Sequence, residues 1–137
     1  MVPQIKMLLN QDNATTILND IVTQWHSEEA AQFLDKLDPQ CEWIEGDKRI
    51  VGHANILTAV QRKQNTELHY QLSAELVSYS CNQIHAKFAS SWQFSITGQW
   101  YRSVGWVELS FAPNGLIDMI TIDISNRPIS AQERSLY

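Results

Sequence analysis

Asp123 is the residue in this sequence whose neighbours best suit acid–base chemistry. It lies between Ile122 and Ile124, near the end of a strand-like run. A carboxylate buried among aliphatic side chains has a raised pKa, which suits a general acid or base. The alternative is a carboxylate on the outer face of a sheet that pairs with Arg102. Asp123 is therefore the candidate catalytic residue if the protein is an enzyme, and both alternatives stay open.

The histidines and cysteines form no recognisable metal-binding or nucleophilic pattern. No two of the four histidines have the i, i+4 spacing of paired metal ligands on a helix. Cys81 falls in a predicted turn without a glycine-rich oxyanion loop, which argues against a catalytic thiol. The sequence also lacks a phosphate-binding or dinucleotide-binding glycine motif. We therefore expect neither a metal nor a cofactor.

Five aromatic or hydroxyl-bearing residues are candidates for a ligand pocket. Trp43, Tyr70, Ser90, Trp92 and Ser103 are predicted to lie on the side of a sheet that faces the helices. Aromatic rings with a polar group suit a cleft for a small hydrophobic molecule. Small residues such as Ser90 leave space on the concave side of a curved sheet. Ordinary core packing with satisfied hydroxyl groups is the alternative.

Helices at the front of the chain and strands behind them must position these residues. Apolar residues recur with helical spacing from Ile17 to Trp25. The predicted elements are two helices within 15–37, short strands at 41–44 and 50–51, a third helix over about 53–64, and four long antiparallel strands over 66–125. Helices that precede a run of antiparallel strands indicate an α+β domain.

Two tight turns predict the register of the last three strands. A two-residue turn at 97–98 places Phe88 opposite Val107, and a turn at 113–114 places Val107 opposite Ile120. Both pairings collect apolar side chains on the same face. We expect that face to pack against the helices, because a displacement by one residue would turn every side chain to the other face.

The opposite face of the predicted sheet carries Trp100, Arg102 and Trp106. Tryptophan and arginine are enriched in protein–protein interfaces. A large apolar area left in water would also be unfavourable for an acidic, monomeric protein. We therefore predict that this face forms the interface of a homodimer. Scattered surface aromatic residues are the alternative.

Composition limits the classes of partner. The 137 residues include 44% hydrophobic residues and carry a formal net charge of −5. The length predicts a single domain over 1–137, with 126–137 as a C-terminal tail. The acidic charge argues against nucleic-acid binding, and no run is apolar enough to cross a membrane. With no signal peptide evident and no paired cysteine spacing, we expect free thiols in the cytoplasm.

Several motifs in the second half of the chain carry a family resemblance. The most specific run is Gly98-Gln99-Trp100, followed by Arg102-Ser103 and Gly105, and the segment ELHYQLSAEL supports it. With these motifs the chain resembles the nuclear transport factor 2-like, or SnoaL-like, superfamily. It is closest to a bacterial branch of small proteins of uncharacterised function, and the resemblance covers residues 43–134. It implies an α+β cone, in which a strongly bent antiparallel sheet wraps around N-terminal helices.

The resemblance implies several functions. Members include ketosteroid isomerases, polyketide cyclases, epoxide hydrolases, scytalone-type dehydratases and binding modules, so the fold cannot choose among them. Relatives that cyclise polyketides use an acid on the strand of Asp123, and Glu108 with Asp123 and Arg102 resembles the acid–arginine–acid arrangement of epoxide hydrolases. The sequence departs from its branch at Trp106-Val107-Glu108, where polar residues are usual, which predicts a more apolar and more acidic pocket.

These observations together predict a protein that binds a small apolar or aromatic molecule in a pocket. The alternative is a cofactor-free isomerase, cyclase, dehydratase or epoxide hydrolase that uses a pocket carboxylate. A buried carboxylate facing the cavity would favour the enzyme, because perturbed ionisable groups cluster at functional sites.

Overall fold

Residues 9–134 are described by a computed structural model of the chain. The elements, in chain order, are α1 (Gln11–Gln24), α2 (Ala30–Asp35), β1 (Leu37–Glu45), β2 (Lys48–Val51), α3 (His53–Thr66), β3 (Glu67–Tyr79), β4 (Gln83–Phe94), β5 (Trp100–Phe111), β6 (Ile117–Ile129) and α4 (Ala131–Arg134). Helices precede four long strands, which confirms the predicted α+β order. Because β6 continues to Ile129, residues 126–129 of the predicted tail belong to the sheet.

The first helix is held at its start by two asparagines. The Asn10 side chain accepts a hydrogen bond from the Asn13 backbone N–H at 2.9 Å, and the Asn13 side chain accepts one from the Asn10 N–H at 2.6 Å. Such reciprocal capping satisfies two donors that the helix itself leaves unpaired. The cap therefore begins α1 at Gln11, a few residues before the start predicted from its apolar pattern.

The sheet has six strands in the order β2-β1-β6-β5-β4-β3. Neighbours from β3 to β6 are antiparallel, but β1 lies parallel to β6, with Trp43 opposite Ile120. The four long strands form the predicted antiparallel sheet, and the parallel pairing of β1 with β6 makes the whole curved sheet mixed. A parallel pair needs a long connection between its strands. The segment from β2 to β5 supplies it, and local sequence patterns do not reveal such a distant pairing.

The strand register differs from the prediction by two residues in both hairpins. Val107 lies opposite Ala86 and Ile122, instead of opposite Phe88 and Ile120. Side chains alternate between the two faces with a period of two. A displacement by two residues therefore leaves each of these side chains on its predicted face, although its cross-strand neighbours change.

Longer turns and one irregularity in strand pairing explain the displacement. The Phe94 N–H donates to the Gln99 carbonyl at 2.8 Å, so the turn that this hydrogen bond closes contains residues 95–98 instead of two residues. In the next loop the Ala112 N–H donates to the Leu116 carbonyl, also at 2.8 Å. The first turn accounts for the whole displacement of its hairpin. The second accounts for one residue, and an irregularity in the pairing of β5 with β6 between Ser110 and Phe111 supplies the other.

The main core lies between the helices and the inner face of the sheet. Its fully buried side chains come from every layer of the fold, and the largest of them are Phe33, Leu37, Ile56, Ile84, Leu109 and Ile117. Within residues 9–134, no helix has the length and apolarity needed to span a membrane.

Cys41 gives the fold a predicted sensitivity to alkaline pH. Burial raises the pKa of its thiol from 9.0 to about 12, and the carboxylates of Asp118, Asp38 and Glu42 add to the effect. Below pH 9 the thiol is protonated in both the folded and the unfolded chain. Above it only the unfolded chain loses the proton, so the free energy of unfolding falls by up to about 1.4 kcal/mol per pH unit.

Urea unfolding between about pH 8 and pH 10.5 measures this loss. We expect Cys41→Ala to flatten the alkaline slope, even though it lowers stability at every pH. Cys81 is also a free thiol but is exposed, so Cys81→Ala should keep the wild-type slope. Equal slopes in wild type and Cys41→Ala would contradict the prediction.

Candidate functional site

A cavity of about 120 Å³ lies between α1 and the concave face of the sheet. Aliphatic and aromatic side chains from α1, α2 and the long strands form most of its wall. All five residues predicted for a pocket line this one cavity: Trp43, Tyr70, Ser90, Trp92 and Ser103. Strands β1, β3, β4 and β5 thus each contribute an aromatic or hydroxyl-bearing side chain to the wall of this cavity.

Tyr70 is a half-buried polar residue of the wall. The side chains of Ser90 and Trp25 lie near its hydroxyl and lower the pKa of that group, by less than burial raises it. Burial raises the pKa of the Tyr70 hydroxyl, and the nearby carboxylate of Glu67 raises it further. The hydroxyl therefore stays protonated over the physiological pH range and can act as a hydrogen-bond donor.

A second set of hydrogen-bonded polar side chains lies on β4, β5 and β6. The Trp92 indole N–H donates to the Ser103 hydroxyl at 3.3 Å, and the Ser103 hydroxyl donates to the side-chain oxygen of Asn126. Ser90 is paired with Ser103 across β4 and β5, and Ser103 with Asn126 across β5 and β6. Tyr70, Ser90, Ser103 and Asn126 therefore form a polar row across the inner face, and all four line the cavity.

The cavity wall includes a carboxylate that the sequence did not reveal. Glu67, the first residue of β3, lines the cavity, and its side chain is 13% exposed. One carboxylate oxygen lies 3.4 Å from His26 Nε2, and the other lies 3.8 Å from Lys63 Nζ. Lys63 and Glu45 also line the cavity. The pocket is therefore apolar at its base and charged along one side, with Glu67 held between two basic side chains.

His26 connects this charged side to the polar row. Its ring stacks on the Tyr70 ring with 3.9 Å between centroids, and the Trp25 ring meets Tyr70 edge-on at 5.3 Å. His26 and Glu67 come from the segment after α1 and from the start of β3, far apart in the sequence. No local pattern joins them, so only the packing of the loop after α1 against β3 reveals the pair.

Asp123, the candidate acid from the sequence, does not line the cavity. It is exposed on the outer face of β6, opposite Trp106 of β5. Turning it inward would require a bulge, but β5 and β6 pair without interruption from Trp100 to Ser110. Of the two alternatives that the sequence left open for Asp123, the structure therefore has the carboxylate on the outer face. Glu108 also lies away from the cavity, where its carboxylate is 3.9 Å from His85 Nδ1.

The outer face carries the three residues predicted for a dimer interface. Trp106 is 53% exposed and Val104 is 45% exposed, so an apolar patch faces outward beside Asp123. Trp100 and Arg102 are half-buried, and the Trp100 ring stacks on His69 with 5.8 Å between centroids. Trp106 and Val104 therefore form the exposed apolar part of this face.

Metal ligands are a separate question. In the part of the chain from residue 9 to residue 134, no three His, Cys, Asp or Glu side chains are grouped to hold a metal ion.

Solved structures share this arrangement of helices over a curved sheet. A candidate polyketide cyclase from Xanthomonas campestris pv. campestris superposes with a TM-score of 0.73 at 17% identity, over 92% of this chain and 96% of that chain. SalBIII, an epoxide hydrolase/cyclase-like enzyme in pyran ring formation in salinomycin, superposes with a TM-score of 0.73 at 8% identity, over 85% and 93%. An NTF2-like protein from Exiguobacterium sp. 255-15 gives 0.68 at 11% identity, over 84% and 99%.

At these identities the likeness establishes the fold alone. The fold is the nuclear transport factor 2-like, or SnoaL-like, cone, as the sequence motifs predicted. The chain belongs to the family of proteins of unknown function DUF1348, which matches residues 8–137. No curated protein matches the chain.

Proposed function

We propose that the protein binds a small, mainly apolar molecule in the cone cavity. The observation that carries the proposal is the convergence of Trp43, Tyr70, Ser90, Trp92 and Ser103 on one apolar cavity. Ligand sites are typically concave and apolar with a few placed polar groups, which is the composition of this wall. SalBIII, which shares the fold, takes part in pyran ring formation in the polyether salinomycin, and this agrees with a cavity for a small molecule.

The size of the cavity supports a ligand with one ring. Its volume of about 120 Å³ is comparable to the roughly 150 Å³ of an engineered apolar cavity that binds benzene. A fused polycyclic molecule would need the wall to move.

Filling the cavity tests the proposal. Ala74 lines it from the inner face of β3, whereas Ala89 lies on the outer face of β4. We expect ligand-detected NMR to show binding of single-ring aromatic compounds to wild type. Ala74→Leu should lose that binding by occupying the space, and the matched variant Ala89→Leu should retain it. Unchanged binding to Ala74→Leu would place the ligand elsewhere and reject the proposal.

A second candidate function is cofactor-free catalysis, and Glu67 is the specific observation that favours it. A carboxylate on an apolar wall, beside a protonated tyrosine, can accept or return a proton during isomerisation, cyclisation, dehydration or epoxide opening. In this hypothesis Glu67, and not Asp123, is the candidate acid or base of the pocket. If the protein is an enzyme, Glu67→Gln should abolish turnover of its substrate and leave binding intact, whereas Asp123→Asn should leave both unchanged.

We also propose that the outer face pairs two copies of the chain, in the cytoplasm. The exposed Trp106 and Val104, beside Trp100 and Arg102, support an interface of apolar centre and polar rim. Both cysteines are free thiols, in agreement with a reducing compartment.

Trp106→Glu tests the dimer. The new carboxylate would lie beside Asp123, so the variant would bring like charges into the interface and remove its apolar centre. We expect a dimer for wild type and a monomer for the variant in light scattering at micromolar concentration. Ile96→Glu alters a loop residue that is 77% exposed and should leave the dimer intact. Wild-type protein that is already monomeric under these conditions would refute the interface.

A further inference from the structure

The outer face of β3, β4, β5 and β6 carries side chains in rows that cross the strands. Residues that are paired between neighbouring strands and point to the same face belong to one row. The central row consists of small and medium-sized residues, namely Ser73, Ala89, Val104 and Ser125. All of them line a groove on this face. A second protein surface can therefore approach the sheet closely along the central row.

Two rows flank the central row and differ in charge. On one side, the tryptophan row consists of Glu75, Lys87, Trp106 and Asp123. On the other side, the arginine row consists of Gln71, Ser91, Arg102 and Arg127. Because Lys87 Nζ lies 3.4 Å from a Glu75 carboxylate oxygen, Asp123 gives the tryptophan row its net negative charge. The arginine row is positive, so the two flanking rows are electrostatically complementary.

A two-fold axis along the central row brings these complementary rows together. In a symmetric dimer both copies use the same surface. Rotation about this axis exchanges the flanking rows, so the tryptophan row of one copy faces the arginine row of the other. Asp123 then lies over Arg127 of the partner subunit, and Trp106 lies over Arg102 of the partner subunit. Residues of the central row meet their own copies.

An axis parallel to the strands brings together residues that repel each other. With this axis between β4 and β5, β6 of one copy would cover β3 of the other. Asp123 would then face Glu75 of the partner subunit at two symmetric places, because both residues belong to the tryptophan row. Like charges opposite each other weaken an interface. The charges of the outer face therefore favour the axis across the strands.

We propose that two copies of the chain pack face to face about a two-fold axis along the central row. The inference rests on the proposed dimer and specifies its geometry. Trp106 stacks on Arg102 of the partner subunit, a favourable contact between an indole ring and a guanidinium group. Asp123 pairs with Arg127 of the partner subunit. Arg127 keeps its own contact with Glu133 at 3.0 Å, because a guanidinium group has five N–H donors.

This geometry keeps the expected result for Trp106→Glu. The new carboxylate would face Arg102 of the partner subunit, but an ion pair near the surface contributes less than the burial of an indole ring. The variant is therefore still expected to be monomeric. It tests the interface, and other variants must locate the axis.

Reversing one charge distinguishes the two axes. About the proposed axis, Asp123→Arg faces Arg127 of the partner subunit, so we expect the dimer dissociation constant to rise about tenfold or more, since two symmetric contacts become repulsive. Adding Arg127→Asp to the same chain should restore most of the affinity. Asp47→Arg makes the same charge reversal in the exposed turn between β1 and β2 and should leave the dimer unchanged. Analytical ultracentrifugation measures the dissociation constants.

Crosslinking locates the axis independently. Ser125 is the exposed end of the central row on β6, so two copies of Ser125→Cys meet on the proposed axis. About an axis parallel to the strands they would lie about three strand spacings apart, roughly 14 Å. In a Cys81→Ala background, we expect a short bismaleimide to join the Ser125→Cys dimer covalently. Wild-type protein, whose exposed thiol Cys81 lies in the turn between β3 and β4, should stay unlinked.

The outcomes separate this inference from the proposed dimer. If Asp123→Arg strengthens the dimer or leaves it unchanged, or if Ser125→Cys fails to crosslink in a dimeric protein, the axis is overturned but the outer face remains an interface. Wild-type protein that is monomeric at micromolar concentration counts against both.

Discussion

Gly105→Ala should destabilise the protein by about 3 kcal/mol or more, which is at the upper end of the range for overpacked sites. A Cβ atom at this position would lie 1.9 Å from the carbonyl oxygen of Asp123 and 3.0 Å from the Cα atom of Ile124. Both are backbone atoms of β6, paired with β5 on either side of the glycine. These atoms can move away from the added Cβ atom only if the two central strands, β5 and β6, separate. We therefore expect Gly105→Ala to unfold at a lower urea concentration than wild type.

Gly46→Ala is the matched control for this effect. Gly46 has a φ of +58°, and no atom lies within 4 Å of a Cβ built there. The left-handed conformation alone should cost about 1–2 kcal/mol on substitution. If Gly105→Ala costs no more than Gly46→Ala, the close approach of β5 and β6 is not a requirement of the fold.

The sequence predicts some features of this sheet and not others. Alternating apolar residues predict the strands and assign the two faces correctly, because a register error of two residues does not change which face a side chain occupies. Cross-strand partners are harder to predict, since they depend on the closing hydrogen bonds of the loops, such as that from Phe94 to Gln99. The sequence therefore predicts the inner face but pairs its residues incorrectly.

The residues of the candidate site can be divided in the same way, into those that face assignment predicts and those that it does not. Trp43, Tyr70, Ser90, Trp92 and Ser103 follow from face assignment alone, and all line the cavity. Glu67 starts its strand, and within β3 the pairing with β4 is irregular between Leu68 and Gln71. Simple alternation cannot be extended through that irregularity, where His69 has a φ of +54°. The carboxylate that faces the cavity was therefore not predictable, whereas Asp123 was attractive only for its aliphatic neighbours.

Phe33→Ala should destabilise the protein by about 3–5 kcal/mol, the range for removing a buried phenylalanine. Phe33 is 1% exposed and is one of the largest fully buried side chains. It belongs to α2, which has only six residues, too few to be stable without tertiary packing. Urea unfolding measures the loss. Asp35→Ala, on the exposed side of the same helix, should change stability by less than about 0.5 kcal/mol.

The same substitution should change which molecules the cavity accepts. Phe33 lines the cavity as well as the core, so its removal opens a void continuous with the existing space. Apolar cavities of this kind stay empty and bind matching hydrocarbons. We expect naphthalene, a fused two-ring probe, to bind Phe33→Ala more tightly than wild type, with Phe33→Leu as a milder variant if the alanine protein does not fold. A stability loss without any gain in naphthalene binding would mean that α2 collapses into the void, and that Phe33 does not limit the size of the ligand.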